Sequence, residues 1–242
     1  MITDQGHFFT GMRTHAGAVG GGQALDMLTT ADGRPGWATL FLRDGFAVYA
    51  VDRPGLGRSP YHRDLYGAQG PAATYEGFVA SFAGPAPDGL PPHTQWPGDG
   101  TRRDPALATF LAWQEPFPGD LVRAHEDMLA GAVGLLERIG PSVLLTHSLG
   151  AGFGWLALSE CPSLVKAVVA VEPTSFSHGL TPVPLVFGPA DYEGKIGRVP
   201  IAVVTAESSG HGAADHATAE FLRSCGAAEI AALITDWIVK HT

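Results

Sequence analysis

The run Ser142-Val143-Leu144-Leu145-Thr146-His147-Ser148-Leu149-Gly150-Ala151-Gly152 restricts the fold more than any other stretch of the 242-residue chain. An apolar strand passes into a small-x-Ser-x-Gly turn, and helix-forming residues follow. Such a turn lifts the serine above the sheet edge with its hydroxyl exposed. It needs small neighbours because strand and helix approach closely there. The helix N-terminus then aims free amides and partial positive charge at the place where an oxyanion would develop. Thr146 stands at the first small position, where glycine is the usual residue. A serine cap in an ordinary strand–helix unit would use the same residue types, so the rest of the chain has to decide.

From here on the rhythm is regular. Val143 to Thr146 reads as a strand and Gly150 to Leu158 as a helix, then Val165 to Val171 and Ile201 to Thr205 as strands. Ala217 to Ser224 reads as a helix, and Glu229 to Val239, with Ile230, Leu233, Ile234, Trp237 and Ile238 on one face, as the last one. Strands alternating with helices imply a parallel sheet flanked by helices. Upstream, Trp37 to Arg43 is a short helix with Gly45 past its end. Phe46 to Val51 is a continuous apolar run of the kind found in a covered strand, and it ends in the glycine-rich loop Asp52-Arg53-Pro54-Gly55-Leu56-Gly57-Arg58-Ser59. Residues 60–118 are rich in Pro, Gly and aromatics and read as a cap excursion from one domain spanning 1–242. Within it, Pro105 to Gln114 is a short helix. Asp120 then caps a long helix that Gly140-Pro141 ends.

Composition removes several function classes. Fifteen Lys and Arg against 24 Asp and Glu give a net charge of −9, unsuited to tracking nucleic-acid phosphates or an anionic membrane. Cys161 and Cys225 are too few for a disulfide framework or a zinc site. The histidines show no ligand spacing on one helix, so no metal and no cofactor is expected. The N-terminal residues lack a basic segment followed by an apolar one, and the expectation is a cytoplasmic protein.

The serine turn and the Asp52–Ser59 loop together resemble the α/β-hydrolase superfamily. Ala31-Asp32-Gly33-Arg34-Pro35-Gly36-Trp37, Thr146-His147-Ser148 and Val171-Glu172-Pro173 are similar to a bacterial serine esterase branch of it. The resemblance implies Ser148 as nucleophile and Glu172 as the acid of a Ser–Glu–His triad, leaving the strand that follows the nucleophile. It implies that Gly20 and Gly21, in Gly20-Gly21-Gly22-Gln23, form an oxyanion loop with the Leu149 N–H as a further donor. The implied substrate is a small-molecule carboxylic ester, with an uncharged acyl or aryl group favoured by the aromatic cap.

Two parts of the family pattern are absent from the sequence. Only nineteen residues precede Gly20, so the N-terminal strands are expected to be missing, with Ala16 to Val19 the one stretch that could serve. Cys225-Gly226-Ala227 runs almost directly into the expected final helix, which leaves no room for a last strand and its histidine loop. The catalytic base is therefore not assigned. His211, after the strand Ile201 to Thr205, is the best substitute, His147 reads as structural, and His125 reads as a surface residue. The alternative function is a catalytically degenerate hydrolase that binds a small molecule. The sequence leaves the oligomeric state open.

Overall fold

The computed structural model describes residues 27–72, 74–83, 96–116, 118–173, 199–205, 212–224 and 230–234. Among the described residues the centre is a four-stranded, parallel sheet in the order β1 (Ser142–His147), β2 (Val165–Val171), β3 (Ile201–Thr205) and β4 (Ile230–Ile234). The helices before β1 are α1 (Trp37–Arg43), α2 (Arg63–Tyr66), α3 (Tyr75–Phe78), α4 (Pro105–Ala112) and α5 (Leu121–Ile139). Those after it are α6 (Ala151–Glu160) and α7 (Gly212–Ser224). The α/β reading of the sequence stands.

β1 alternates. Leu144 and Thr146 are buried, whereas Val143 is exposed. The buried side meets α6, whose residues Ala151 to Ser159 are all buried. A helix apolar around its whole circumference belongs inside a layered core, and Trp155, Leu156 and Leu158 supply the bulk of this one. α5 lays Met128, Ala132 and Leu136 against α6. Asp120 caps α5 by accepting the Arg123 amide at 3.0 Å, and Gly140, with φ of 84°, ends it in a conformation a side chain would resist. α7 packs on β3 and β4 through Ala219 and Leu222.

Two expectations about strands are corrected. The last strand is present: Ile230–Ile234 pairs along the whole of β3, where the sequence suggested the start of a helix and a missing strand. A five-residue apolar run satisfies both periodicities. The free edge of β3 offers these residues a ladder of hydrogen bonds that settles the choice. Residues 235–242 lie outside the described set. Conversely, Phe46 to Val51 forms no strand among the described residues, with Phe46 and Tyr49 exposed. The left-handed Gly45 (φ 88°) folds the chain back, so that the Phe46 N–H donates to Phe41 O at 3.0 Å and the two rings stack edge to face. The aromatic start of this run is thereby spent on closing α1. The other expected N-terminal strand positions, Ala16 to Val19, lie outside the described residues.

The loop after Val51 explains its own glycines. The Asp52 carboxylate is buried, accepts the Arg58 N–H at 3.2 Å and pairs with the Arg58 guanidinium. A Cβ on Gly57 would stand 2.7 Å from Asp52 Oδ1. In the excursion, Asp104 caps α4, accepting from Ala106 N at 2.9 Å, and also takes Trp96 Nε1–H at 2.7 Å and Gly100 N–H at 2.8 Å. Phe110 meets Phe78 and Trp96 in edge-to-face contacts, tying the segment together.

Candidate active site

Two strand ends define the site. The β1–β2 register pairs His147 with Val171, so Ser148 and Glu172 leave neighbouring parallel strands at the same level and on the same edge. Neighbouring strands lie about 4.8 Å apart, which makes these two backbones immediate neighbours. Both residues are half-buried. Glu172 is held one residue beyond β2 because its N–H still donates to Val204 O of β3, at 2.7 Å.

Ser148 has φ of 50° and Glu172 has φ of 45°. Among the described residues they are the two non-glycine positions with positive φ. That conformation costs an L-residue about 1–2 kcal/mol, and at Glu172 the following Pro173 adds its own preference for an extended predecessor. Strained backbone of this kind gathers where side chains must be aimed rather than packed. At Ser148 it produces a sharp reversal from β1 into the single 3₁₀ turn Ser148–Gly150 that opens α6. Leu149 lies in that turn, among the first amides of a helix, which have no acceptor within the helix itself. Gly20, Gly21 and His211 lie outside the described residues.

Small residues bring α6 close. A Cβ on Gly154 would fall 3.3 Å from Val168 Cγ1 and 3.4 Å from Thr146 Cγ2. A Cβ on Gly152 would fall 3.3 Å from Met128 Cε and 3.7 Å from His125 Nε2. His125, expected at the surface, is half-buried with its ring against the first turn of α6. Its signal in the sequence was its position three residues before Met128 on the buried side of an amphipathic helix. His147 is solvent-exposed on one side, yet the protein crowded around its ring pushes the imidazole pKa below the ordinary value, while the nearby Glu172 carboxylate pulls it up. The sequence reads it as structural, and the structure gives it the Glu172 carboxylate as a neighbour.

A parallel sheet with helices packed against it, and a serine at a left-handed strand-to-helix turn on its C-terminal edge, defines the architecture of the α/β hydrolases. The chain belongs to that family: residues 20–225 match the model of the alpha/beta hydrolase fold. It is 31% identical over 254 aligned positions to a probable secreted lipase, phiG, of Fungal sp. (strain ATCC 74256), covering 86% of this chain and 70% of the relative. A bacterial esterase of known structure shares the fold with a TM-score of 0.63 at 20% identity, over 91% of this chain and 70% of that one. No helix among the described residues is long and apolar enough to cross a membrane. The fungal relative is named as secreted, which contrasts with the cytoplasmic expectation.

Proposed function

We propose that the protein hydrolyses carboxylic esters through an acyl-enzyme on Ser148. The observation that carries this reading is the pairing of Ser148 and Glu172 at adjacent strand ends, both in left-handed backbone. The names of the fungal and bacterial relatives support the ester as substrate class.

In this mechanism Ser148 Oγ attacks the acyl carbon as a histidine takes its proton. The carbonyl oxygen becomes an oxyanion, held by the Leu149 N–H and by those of Gly20 and Gly21. Collapse of the intermediate breaks the ester bond, and the histidine returns the proton to the departing alkoxide. Water, activated by the same base, then releases the acid and restores Ser148. Glu172 orients the histidine and balances its charge. The base is not assigned to one histidine; His211, whose segment follows β3 at the edge that carries Ser148, is the substitute the experiment tries first. The cap of residues 60–118 would cover the acyl group.

The test is turnover of a small aryl ester by the purified chain, beside Ser148→Ala, Glu172→Gln and His211→Ala. Activity that vanishes with Ser148→Ala is expected. Glu172→Gln should cost about 10²–10⁴-fold, the range for removing the residue that holds the base in the right tautomer. Activity indifferent to Ser148 would refute the mechanism. A chain that binds esters without turning them over, and that no fluorophosphonate probe labels, would be the degenerate binding protein instead. Cytoplasmic residence remains the proposed location, to be tested against secretion by fractionating the source cells.

A further inference from the structure

We propose that Thr146 and Gly154 form a size-matched pair that positions Ser148, with Thr146 acting as a positioning residue. The inference rests on the reading of Ser148 as nucleophile and adds a determinant of its geometry. Thr146 occupies the place, two residues before the serine, where the turn motif ordinarily uses a glycine. The larger side chain must displace something, and the structure shows where the space comes from. Thr146 is 6% exposed and points onto α6. Directly beneath it is Gly154, whose missing Cβ would sit 3.4 Å from Thr146 Cγ2 and 3.3 Å from Val168 Cγ1. Val168 is 1% exposed. Both neighbours are β-branched and stiff at χ1, and both belong to the sheet, Thr146 to β1 and Val168 to β2. Among the described residues Thr146 Oγ1 has no hydrogen-bond partner, so polar bonding does not account for threonine at this position. Its contribution is bulk.

The consequence reaches Ser148 because only five residues separate it from Gly154, and α6 begins between them. A methyl at Gly154 meets Val168 of β2 most closely and Thr146 of β1 next, which moves α6 off the sheet by a few tenths of an ångström. The left-handed Ser148 is the joint between the two elements, and it takes up the displacement. Helix propensity works in the opposite direction, since Ala is favoured over Gly by about 1 kcal/mol in a helix interior. Stability alone therefore changes little in Gly154→Ala, whereas nucleophile geometry changes more.

The experiment is a double-mutant cycle of Thr146→Ala and Gly154→Ala on the full chain, with two readouts. The first is the fluorophosphonate labelling rate at saturating probe, well below every variant's melting temperature. Gly154→Ala is expected to label about tenfold slower, since even a 1 Å misplacement of reacting groups can cost about a hundredfold. The double variant should label faster than Gly154→Ala but short of the parent, because Val168 Cγ1, 3.3 Å from the new Cβ, is unchanged, and affinity for the probe should change less than the maximal rate. The second readout is Tm. Gly154→Ala should be better tolerated, by a few degrees, when residue 146 is Ala than when it is Thr, as expected for coupled neighbours. Additive Tm values overturn the pair. A Gly154→Ala chain that labels at the parental rate, or a double variant no faster than Gly154→Ala, overturns the positioning role. A parent chain that no probe labels refutes the nucleophile reading and the positioning role with it. The packing pair is then judged on Tm alone and stands only if the cycle is non-additive.

Discussion

Replacing Ser148 by glycine and by alanine separates backbone from side chain at the centre of the site. Both changes remove the hydroxyl, and they differ only in what the backbone prefers. With φ at 50°, alanine keeps the left-handed penalty of about 1–2 kcal/mol. Glycine removes it but gives the unfolded chain extra freedom worth roughly 0.5–1 kcal/mol. The net expectation is that Ser148→Gly is more stable than Ser148→Ala by about 1 kcal/mol, or about 2–4 °C in Tm for a chain of this length. A control fixes the sign. Glu126 is exposed in the interior of α5, and there glycine should be less stable than alanine by about 1 kcal/mol. The assay is thermal unfolding followed by circular dichroism on the four purified variants. The order should reverse between the two positions. If Ser148→Ala proves as stable as Ser148→Gly or more so, the serine is not held in left-handed backbone, and the account of the turn as strained and aimed is refuted.

Thr146→Val keeps the shape of the side chain and deletes its unpartnered hydroxyl. It should raise stability by about 1 kcal/mol, read as a higher urea midpoint at unchanged slope, and a lower midpoint would contradict the packing. Asp104→Ala removes the α4 cap and strands the Trp96 and Gly100 donors, a loss of roughly 2–4 kcal/mol in the same titration. For Asp104 itself, burial would raise the carboxyl pKa, but the Trp96 indole and the Gly100, Ala106 and Leu107 amides outweigh it and hold the value below 3.8. Its ionised form therefore stabilises the fold above pH 3.8, and this stabilisation is lost as pH falls through the lower folded pKa. For His147 the folded pKa lies below 6.5, so the unfolded chain binds the proton first and stability declines as pH drops below 6.5. His147→Gln should flatten that part of a Tm-against-pH profile, and an unchanged profile would show that the imidazole is not held neutral.

What the sequence made legible follows the physics of each signal. Strands β2 and β3 and helix α1 appear with the bounds read from the chain, because each is an apolar or one-face run closed by residues that cannot continue it. The serine turn was legible for a similar reason: strand, small residues and helix follow one another within eleven positions, and each local preference agrees with the next. Sequence and structure part where one short run satisfies two patterns. Ile230 to Ile234 has helical spacing with its successors, but β3 supplied a partner that no local rule could anticipate. Phe46 to Val51 has the composition of a strand, but a glycine one residue earlier turned its first aromatic back onto α1.

Glu172 shows the remaining gap between sequence and site. Nothing in Val171-Glu172-Pro173 announces positive φ. A glutamate is an unfavourable choice there, and the proline after it is an argument for extended backbone. The conformation is imposed from outside, by a ladder bond to Val204 that carries the chain one residue past the end of β2. At Ser148 the neighbouring constraint is α6, which lies close against β1 and β2 at Gly154. Two unrelated packing constraints, from β3 on one side and α6 on the other, thus force two side chains off their preferred backbone at the same level of one sheet edge. An ordinary loop would relax one of them by moving. Here each is fixed by an element buried in the core, so the two backbones stay in register and keep the strain.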